Sequence, residues 1–209
     1  MIVHGRASSS NVQAVMWGLT ELGLTAERRD VGGRFKGTDT PAYRRMNPMG
    51  LVPVLEDGDL VLFESAAILR YLVGRPGADG LAAGPRDDMW AEWAKTTLAR
   101  AFTEPVFWAY YRTPAADRDM DAVHAALARF EGFLSMAMAE RGARPWITGD
   151  QLGLADIWVG HLLYRYFSLD LPRAVPEGSQ AYYDALTQRP AYRDHVMVDY
   201  TELKGRLVF

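Results

Sequence analysis

The chain has 209 residues, 49% hydrophobic and 23% charged, which is enough apolar side chain for a globular core and unlike a disordered protein. Its net charge of -3 is not the basic balance typical of nucleic-acid-binding proteins, and no apolar run approaches the roughly 18 residues that a membrane span needs. The chain has no cysteine, which excludes disulfides, cysteine metal ligands and cysteine nucleophiles and is consistent with a cytoplasmic location.

The first third of the chain reads as short strands alternating with helices. Apolar runs predict strands over 1–3 and 25–31, and helical spacing predicts a helix over 11–22 that ends at Gly23. A polar, glycine-rich loop is expected over 32–40. The apolar runs 52–56 and 60–63 are joined by Asp57-Gly58, which is typical of a hairpin, and a helix follows over 66–72.

The strand patterns end at about residue 75. A stretch rich in glycine, proline and alanine, residues 76–86, reads as a linker. Long helical patterns then cover 87–110, 119–141 and 154–167, and shorter helices are predicted over 179–188 and 191–195. The segment 87–209 is therefore predicted to be an all-helical bundle.

Five short motifs, taken in order, give the chain a likeness to a known family. They are RASSSNV with WGLTELGL (6–24), DTPAY (39–43), NPMGLVPVL (47–55), ESAAILRYL (64–72) and GDQLGLADI (149–157). The whole chain resembles a cytosolic glutathione transferase, most closely the bacterial theta- or nu-like members that use serine.

The resemblance implies an α+β protein of two domains. The first, 1–75, would be a thioredoxin-like domain that binds glutathione, and the second, 87–209, an all-α helical bundle. It also implies glutathione as the co-substrate, no metal ion, a small hydrophobic electrophile as the second substrate, and a homodimer that binds neither nucleic acid nor membrane.

The resemblance assigns glutathione binding to Val52, Pro53, Glu64 and Ser65. A cis Val52–Pro53 bond would turn the Val52 N–H and C=O outward to pair with an extended peptide; the alternative is a trans proline that starts a strand. Ser65, at a helix N-terminus, would hold the γ-glutamyl carboxylate and Glu64 the ammonium group. The alternative is that these two residues only cap their helix.

Two further positions are expected to affect the affinity for glutathione. Lys36 lies in the loop where family members often reach the glycine carboxylate, although a lone loop lysine is equally consistent with solvated surface. Leu51 departs from the long polar or basic residue that many relatives carry before the Val-Pro pair. A leucine side chain forms no hydrogen bond there, so we expect weaker binding or a transfer of the task to Lys36 or Arg34.

The catalytic residue is expected among three neighbouring serines. A free thiol has a pKa near ~8.5, and lowering it by about two units takes about 2.7 kcal/mol, which a donated hydrogen bond and a helix dipole can supply. In the S-x-N-V pattern, Ser9 matches the catalytic serine of the theta-like group, and Asn11 could donate a second hydrogen bond. Ser10 is the alternate and Ser8 a further one; all three serines could instead only cap the helix.

The second domain is expected to supply the acceptor pocket. Aromatic side chains at helical spacing are more often core than pocket. The candidates are Phe107, Trp108, Tyr111 and Arg112, with Phe102, Tyr164 and Arg165 as additional possibilities. The C-terminal segment 199–209 would either cover the cleft or trail in solvent.

Two residue types are assigned no chemistry. The four histidines, His4, His124, His161 and His195, have neither metal-ligand spacing nor a triad arrangement. Asp156 is interpreted as structural, because the family opens a buried helix with a Ser/Thr-x-x-Asp capping box. In this chain the cap position is Gly153, which offers no side-chain acceptor.

The sequence therefore predicts a glutathione transferase that forms a thioether by thiolate attack on an electrophilic carbon, with peroxidase or dehalogenase side activity from the same thiolate. The alternative is a non-catalytic glutathione- or ligand-binding protein of the same fold. A thiol–disulfide oxidoreductase is disfavoured, because the chain has no cysteine.

Overall fold

The computed structural model describes residues 1–207, and its first part contains four short strands and three α-helices. The elements of this part, in chain order, are β1 (Ile2–His4), α1 (Ser10–Glu21), β2 (Glu27–Arg29), α2 (Pro41–Met46), β3 (Val54–Asp57), β4 (Leu60–Phe63) and α3 (Ser65–Val73). A 3₁₀ turn at Gly33–Phe35 lies in the predicted loop.

The four strands form one mixed sheet in the order β2-β1-β3-β4. β1 pairs in parallel with β2 and antiparallel with β3, and β4 returns antiparallel on β3. This is the β-α-β unit followed by a hairpin that the sequence predicts, and it matches the thioredoxin-like arrangement.

The structure corrects three details of this half. β2 is only three residues long, because its partner β1 offers only three residues for pairing. The hairpin loop is Gly58-Asp59 and not Asp57-Gly58, since Asp57 still pairs with Leu60. The helix α2 was not predicted, although Thr40 caps it by accepting a hydrogen bond from the Tyr43 N–H at 3.2 Å, and Pro41 opens it.

Beyond residue 84 the described chain is helical. A continuous helical stretch covers 85–112, comprising α4 (Pro85–Trp93), wide π turns at Ala94–Leu98, α5 (Ala99–Phe102) and further π turns at Thr103–Arg112. It is followed by α6 (Met120–Arg141), α7 (Leu154–Ser168), α8 (Ser179–Thr187) and α9 (Pro190–His195), with 3₁₀ turns at Ala115–Asp117 and Thr201–Leu203. Within residues 1–207, none of these helices has the length and apolarity to cross a bilayer.

The π turns at the end of the stretch 85–112 have a local cause at one position. Pro105 has no N–H to donate, so an α-helical bond is lost and the backbone adopts the wider register over Thr103–Arg112. The π turns bring Phe107, Trp108 and Arg112 to one side of the molecule.

Helix α1 lies at the centre of the molecule. All its residues from 12 to 19 are buried, and it packs against α3 on one side and against α7 and α9 on the other. Trp17 is fully buried and packs edge-on against Tyr192 of α9, with ring centroids 4.9 Å apart. The helix therefore belongs to both the sheet-containing and the helical half of the core.

The buried start of α7 is held by two carboxylates. Asp156 accepts hydrogen bonds from the N–H groups of Ile147 and Gly153, both at 2.9 Å, and from the Tyr182 hydroxyl at 2.7 Å. Burial raises the pKa of Asp156 to about 6, and the three donated bonds oppose that rise. Asp156 is fully enclosed, as expected of a structural group.

Asp87 of α4 explains why the cap position is glycine. Its carboxylate accepts from the Leu154 N–H at 2.8 Å, and it also accepts from Thr148 Oγ1 at 3.0 Å. A Cβ on Gly153 would lie 2.2 Å from Asp87 Oδ1. The capping oxygen that a serine or threonine would provide thus comes from another helix, and glycine leaves room for it.

We predict that Asp156→Ala lowers the free energy of unfolding by about 3 kcal/mol, because two buried backbone N–H groups and one tyrosine hydroxyl lose their acceptor. Urea denaturation of the variant checks this, with the exposed Asp150→Ala as the control of equal charge change. Wild-type stability combined with lost turnover would show that Asp156 acts in the chemistry instead.

We also predict that Gly153→Ser destabilises the protein by about 1–3 kcal/mol, although serine is a better intrinsic N-cap than glycine, because the new Cβ meets Asp87. In the double variant with Asp87→Ala the serine should recover part of the loss. Denaturation of the four proteins gives the coupling energy. A stabilising Gly153→Ser single variant would contradict this account of the cap.

Candidate active site

A cleft of about 480 Å³ lies where the N-terminus of α1 meets the helical half. In the first half, this main cleft is lined by the serine loop (residues 6–11), the glycine loop (residues 32–38) and the segment before β3 (residues 50–52). In the second half, it is lined by the π-helical segment (Thr103–Arg112), by α7 and by the C-terminal turn (Thr201–Leu203). Its lining residues are Arg6, Ser8, Ser9, Ser10, Asn11, Gly32, Gly33, Thr38, Gly50, Leu51, Val52, Thr103, Glu104, Phe107, Trp108, Arg112, Arg165 and Leu203.

Ser9 occupies the N-cap position of α1, but its hydroxyl does not cap the helix. Its backbone is extended, with φ −82° and ψ 122°, and its C=O accepts from the Gln13 N–H at 2.9 Å. No hydrogen bond of the Ser9 side chain to any residue within 1–207 is formed. The hydroxyl is therefore available to a group in the cleft, next to the unpaired N–H groups of the first helical turn.

Ser8 is engaged differently. It is buried, its hydroxyl donates to Glu202 of the C-terminal turn, and its C=O accepts from Arg165 Nη2 at 2.6 Å. Glu202 also forms an ion pair with Arg34 at 2.8 Å. Because its proton is already donated, the Ser8 hydroxyl is a poorer donor to a ligand than that of Ser9.

A hydrogen-bonded chain connects Asn11 to the start of α3. The Ser65 hydroxyl donates to Asn11 Oδ1 at 3.0 Å and accepts from Lys95 Nζ at 2.9 Å. The same ammonium lies 3.6 Å from Glu64 Oε2. Since the Asn11 oxygen is occupied by Ser65, its amide N–H₂ is left to face other groups.

Lys95 also borders a second hollow, here called the side pocket, of about 420 Å³. Its lining residues are Ser10, Asn11, Lys95, Ala99, Arg100, Thr103, Glu104, Trp158 and His161. Four of these also line the main cleft, so the two spaces meet at Asn11. Burial lowers the pKa of Lys95, while Glu64 opposes that shift, and its ammonium lies 4.8 Å from the centre of the Trp158 ring.

The segment before β3 presents backbone to the cleft. The Val52–Pro53 peptide bond is cis, as the sequence predicts. The Val52 N–H and C=O form no hydrogen bond with any residue that the structure describes. The Leu51 side chain is 60% exposed at the cleft, whereas its C=O accepts from Tyr43 and Asn47 at 2.8 Å each.

Several residues predicted for the site are not among the described residues that line the main cleft. Tyr111 lies behind Phe107, with the two rings stacked at 5.4 Å. Lys36 is exposed on its loop with φ +54°. Pro53 is buried just before β3. Glu64 and Ser65 do not line the described main cleft, although the Ser65 hydroxyl donates to Asn11, which does.

The two further aromatic candidates belong to the packing. Phe102 is 1% exposed and packs on Phe130 with ring centroids 4.7 Å apart, so it belongs to the core. Tyr164 packs edge-on against Tyr200 at 5.9 Å and does not line the described main cleft, whereas the neighbouring Arg165 does.

Sequence reasoning missed Arg6, Lys95, Glu202 and Leu203. The position of Arg6 between the first strand and the serines could have been a signal, because the end of a strand and the start of a helix meet at the cleft. Lys95 lies within the long predicted helix 87–110, where nothing in the pattern distinguishes it from a surface lysine. Glu202 and Leu203 lie nearly two hundred residues from Ser8 and have no motif.

The described part of the C-terminal segment borders the cleft. Leu203 lines it, and Arg112 donates to the C=O groups of Arg206 and Leu207 at 2.8 Å each. Of the segment 199–209, residues 208 and 209 lie outside the described residues. Within 1–207, no group of three or more histidine, aspartate or glutamate side chains is arranged to hold a metal ion.

Comparison with known proteins agrees with this geometry. The family model for the glutathione S-transferase N-terminal domain matches residues 8–74, and that for the C-terminal domain matches residues 88–190. The chain is 34% identical to the glutathione S-transferase GstB of Escherichia coli K12 over 201 residues, an alignment covering 93% of this chain and 96% of the relative.

Solved structures give the same result. A theta class glutathione S-transferase from Xanthomonas axonopodis pv. citri, crystallised with glutathione bound, is similar with a TM-score of 0.87 and 38% identity over 95% of this chain and 97% of that one. Its apo form is similar with a TM-score of 0.79 and 32% identity, at the same coverage of both chains. The order of motifs across the two halves had predicted this outcome: the chain belongs to the glutathione S-transferase family, and it is a glutathione transferase with the fold of that family.

Proposed function

We propose that the main cleft binds glutathione and that the Ser9 hydroxyl stabilises its thiolate for attack on an electrophilic carbon. In that step a carbon–sulfur bond forms and the bond from carbon to its leaving group, such as a halide, breaks. The observation that carries the proposal is the Ser9 hydroxyl, which occupies the cap position of α1, at the cleft, without capping the helix.

Two groups at the N-terminus of α1 lower the thiol pKa. The Ser9 hydroxyl donates to the sulfur, and the free N–H groups of the first turn favour a negative charge. The Asn11 amide supplies a second donor, because its oxygen is held by Ser65. A shift of about two pKa units requires about 2.7 kcal/mol, which one charge-assisted hydrogen bond and a helix terminus together can provide. No general base is needed.

The start of α3 holds the zwitterionic γ-glutamyl end. Ser65 presents its backbone N–H to the carboxylate, and Glu64 binds the ammonium group. Lys95 extends this site, since its ammonium lies between Ser65 and Glu64 and gives the carboxylate a cationic partner. The carboxylate of the γ-glutamyl end thus faces the Lys95 ammonium, and its ammonium group faces the Glu64 carboxylate.

The middle and the far end of the peptide are held more weakly. The Val52 N–H and C=O pair with the backbone of glutathione as an added strand would, and the Val52–Pro53 turn exposes them. Lys36 is the proposed partner of the glycine carboxylate from its exposed loop. Leu51 adds only apolar contact, so we expect modest glutathione affinity. The catalytic unit is proposed to be a homodimer, as in the family.

Replacing Ser9 tests the mechanism. Ser9→Ala should reduce kcat/KM for a chlorodinitrobenzene by about a hundredfold, because one preorganised donor to the reacting anion is lost. Glutathione affinity, measured by calorimetry, should be retained. Ser10→Ala is the matched control and should stay within about threefold of the wild type. A collapse with Ser10→Ala and not with Ser9→Ala would move the role to Ser10.

The same assay separates enzyme from binder. Turnover that depends on Ser9 supports the transferase. Glutathione binding without turnover of any electrophile in a broad panel would support a non-catalytic binding protein. No detectable glutathione binding would exclude both.

Replacing Lys95 tests the γ-glutamyl site. Lys95→Met should raise the KM for glutathione about tenfold, because a charge-assisted contact of roughly 1.5 kcal/mol is lost, and should leave kcat nearly unchanged. Arg100→Met is the control, since Arg100 borders the same side pocket without contacting Ser65 or Glu64. An unchanged KM in Lys95→Met would remove Lys95 from the glutathione site.

A further inference from the structure

The backbone of the serine loop is held at three successive C=O groups. The Ser9 C=O accepts from the Gln13 N–H at 2.9 Å, and the Ala7 C=O accepts from Gln13 Nε2 at 3.0 Å. The Ser8 C=O, which lies between them, accepts from Arg165 Nη2 at 2.6 Å. The Gln13 and Arg165 side chains are both buried, so these bonds are shielded from water.

Arg165 reaches the serine loop from the other half of the molecule. It lies on α7, and its guanidinium is 4.4 Å from the centre of the Phe107 ring and 5.6 Å from that of Tyr200. The aromatic rings and the bond to the Ser8 C=O fix its orientation. The position of the serine loop is therefore tied to α7 through this one side chain.

The charge of Arg165 has no counter-ion among the described residues. Within 1–207 no carboxylate forms an ion pair with it, and its buried Nε has no hydrogen-bond partner. Burial lowers the pKa of Arg165 to about 10, which still leaves the guanidinium charged at neutral pH. By contrast Arg189, which fastens the end of α1, is paired with Glu21. A buried cation left unpaired at the edge of a cleft is costly for a purely structural group and is typical of a functional site.

The bond that Arg165 donates brings its charge next to Ser9. The accepting oxygen belongs to the peptide bond that joins Ser8 to Ser9, and both Ser9 and Arg165 line the main cleft. A fixed cation at short range favours the ionised form of an acidic group, in the same direction as the N-terminus of α1. Because the guanidinium is already in place and desolvated, it needs no rearrangement when the anion forms.

We propose that Arg165 is a positioning residue of the transferase reaction: it holds the Ser8–Ser9 peptide so that the Ser9 hydroxyl faces the cleft, and its charge favours the thiolate of the glutathione bound there. This inference rests on the proposed function, because it concerns the same hydroxyl and the same thiolate.

Arg165→Met tests the proposal through the thiol pKa of bound glutathione, followed by the ultraviolet absorbance of the thiolate in the complex. That pKa should rise by about one unit. With chlorodinitrobenzene and saturating glutathione, the rate should fall nearly tenfold at a pH below the wild-type thiol pKa. It should fall little at a pH well above the variant's, where the thiolate is fully formed in both proteins. Affinity for S-methylglutathione, which has no ionisable thiol, should be retained.

Arg173→Met is the matched control. Arg173 also donates to backbone C=O groups, with Leu171 at 3.1 Å, and its guanidinium lies 5.2 Å from the centre of the Tyr166 ring, but it does not line the main cleft. This variant should leave the thiol pKa unchanged. If Arg165→Met does not fold, Arg165→Lys and Arg165→Gln provide the test. The thiol pKa should rise from the wild type to Arg165→Lys, which keeps the charge, and further to Arg165→Gln, which does not.

A double variant separates positioning from charge. Because Arg165 acts in part through Ser9, Arg165→Met combined with Ser9→Ala should shift the thiol pKa by less than the sum of the two single shifts. Strictly additive shifts would contradict the positioning role.

A thiol pKa that is lowered in the wild type and unchanged in Arg165→Met would overturn the proposal, and a lower unfolding temperature alone would then make Arg165 a structural brace. A wild-type complex in which the thiol titrates as in free glutathione would instead count against the proposed function itself.

Discussion

Burial of helix α1 between the two halves of the molecule is the constraint on which the site depends. A Cβ on Gly18 would lie 2.4 Å from the Leu69 side chain of α3, and one on Gly160 of α7 would lie 2.8 Å from the Trp17 ring, so these side chains lie directly against the backbone of the neighbouring helix. The far end of α1 is held by the Glu21–Arg189 ion pair, with Nε to Oε1 at 2.7 Å. A helix fixed along both sides places its N-terminus, and Ser9 with it, at one position relative to both walls of the cleft.

The start of α7 matters for the same reason. Asp156 and Asp87 satisfy its backbone N–H groups, and α7 in turn supports α1 and carries Arg165 to the cleft. Charged groups also lie close to the α1 terminus: the Glu64 carboxylate and the Lys95 ammonium lie at the start of α3, which is linked to Asn11 through Ser65. A ligand with a zwitterionic head and a thiolate would fit this arrangement of charges.

Much of this could be predicted from the sequence. Helical spacing and cap residues predicted the bounds of α6 and α7 to within one residue, and Asp57-Gly58 predicted the hairpin loop to within one position. The parts that could not be predicted depend on distant contacts. Asp87 takes the place of a cap from another helix, and Glu202 meets Ser8 across almost the whole chain. Tyr111 shows the limit of pattern reasoning, since helical spacing cannot tell which face of a π segment lines a cleft.

The central claim is that the Ser9 hydroxyl stabilises the glutathione thiolate at the N-terminus of α1. A crystal structure of the protein soaked with glutathione tests it most directly. We expect the sulfur within about 3.5 Å of Ser9 Oγ, farther from the hydroxyls of Ser8 and Ser10, and with the γ-glutamyl end at Ser65 and Lys95. A sulfur atom nearest Ser10, or one beyond hydrogen-bonding distance of all three serine hydroxyls, would contradict the claim.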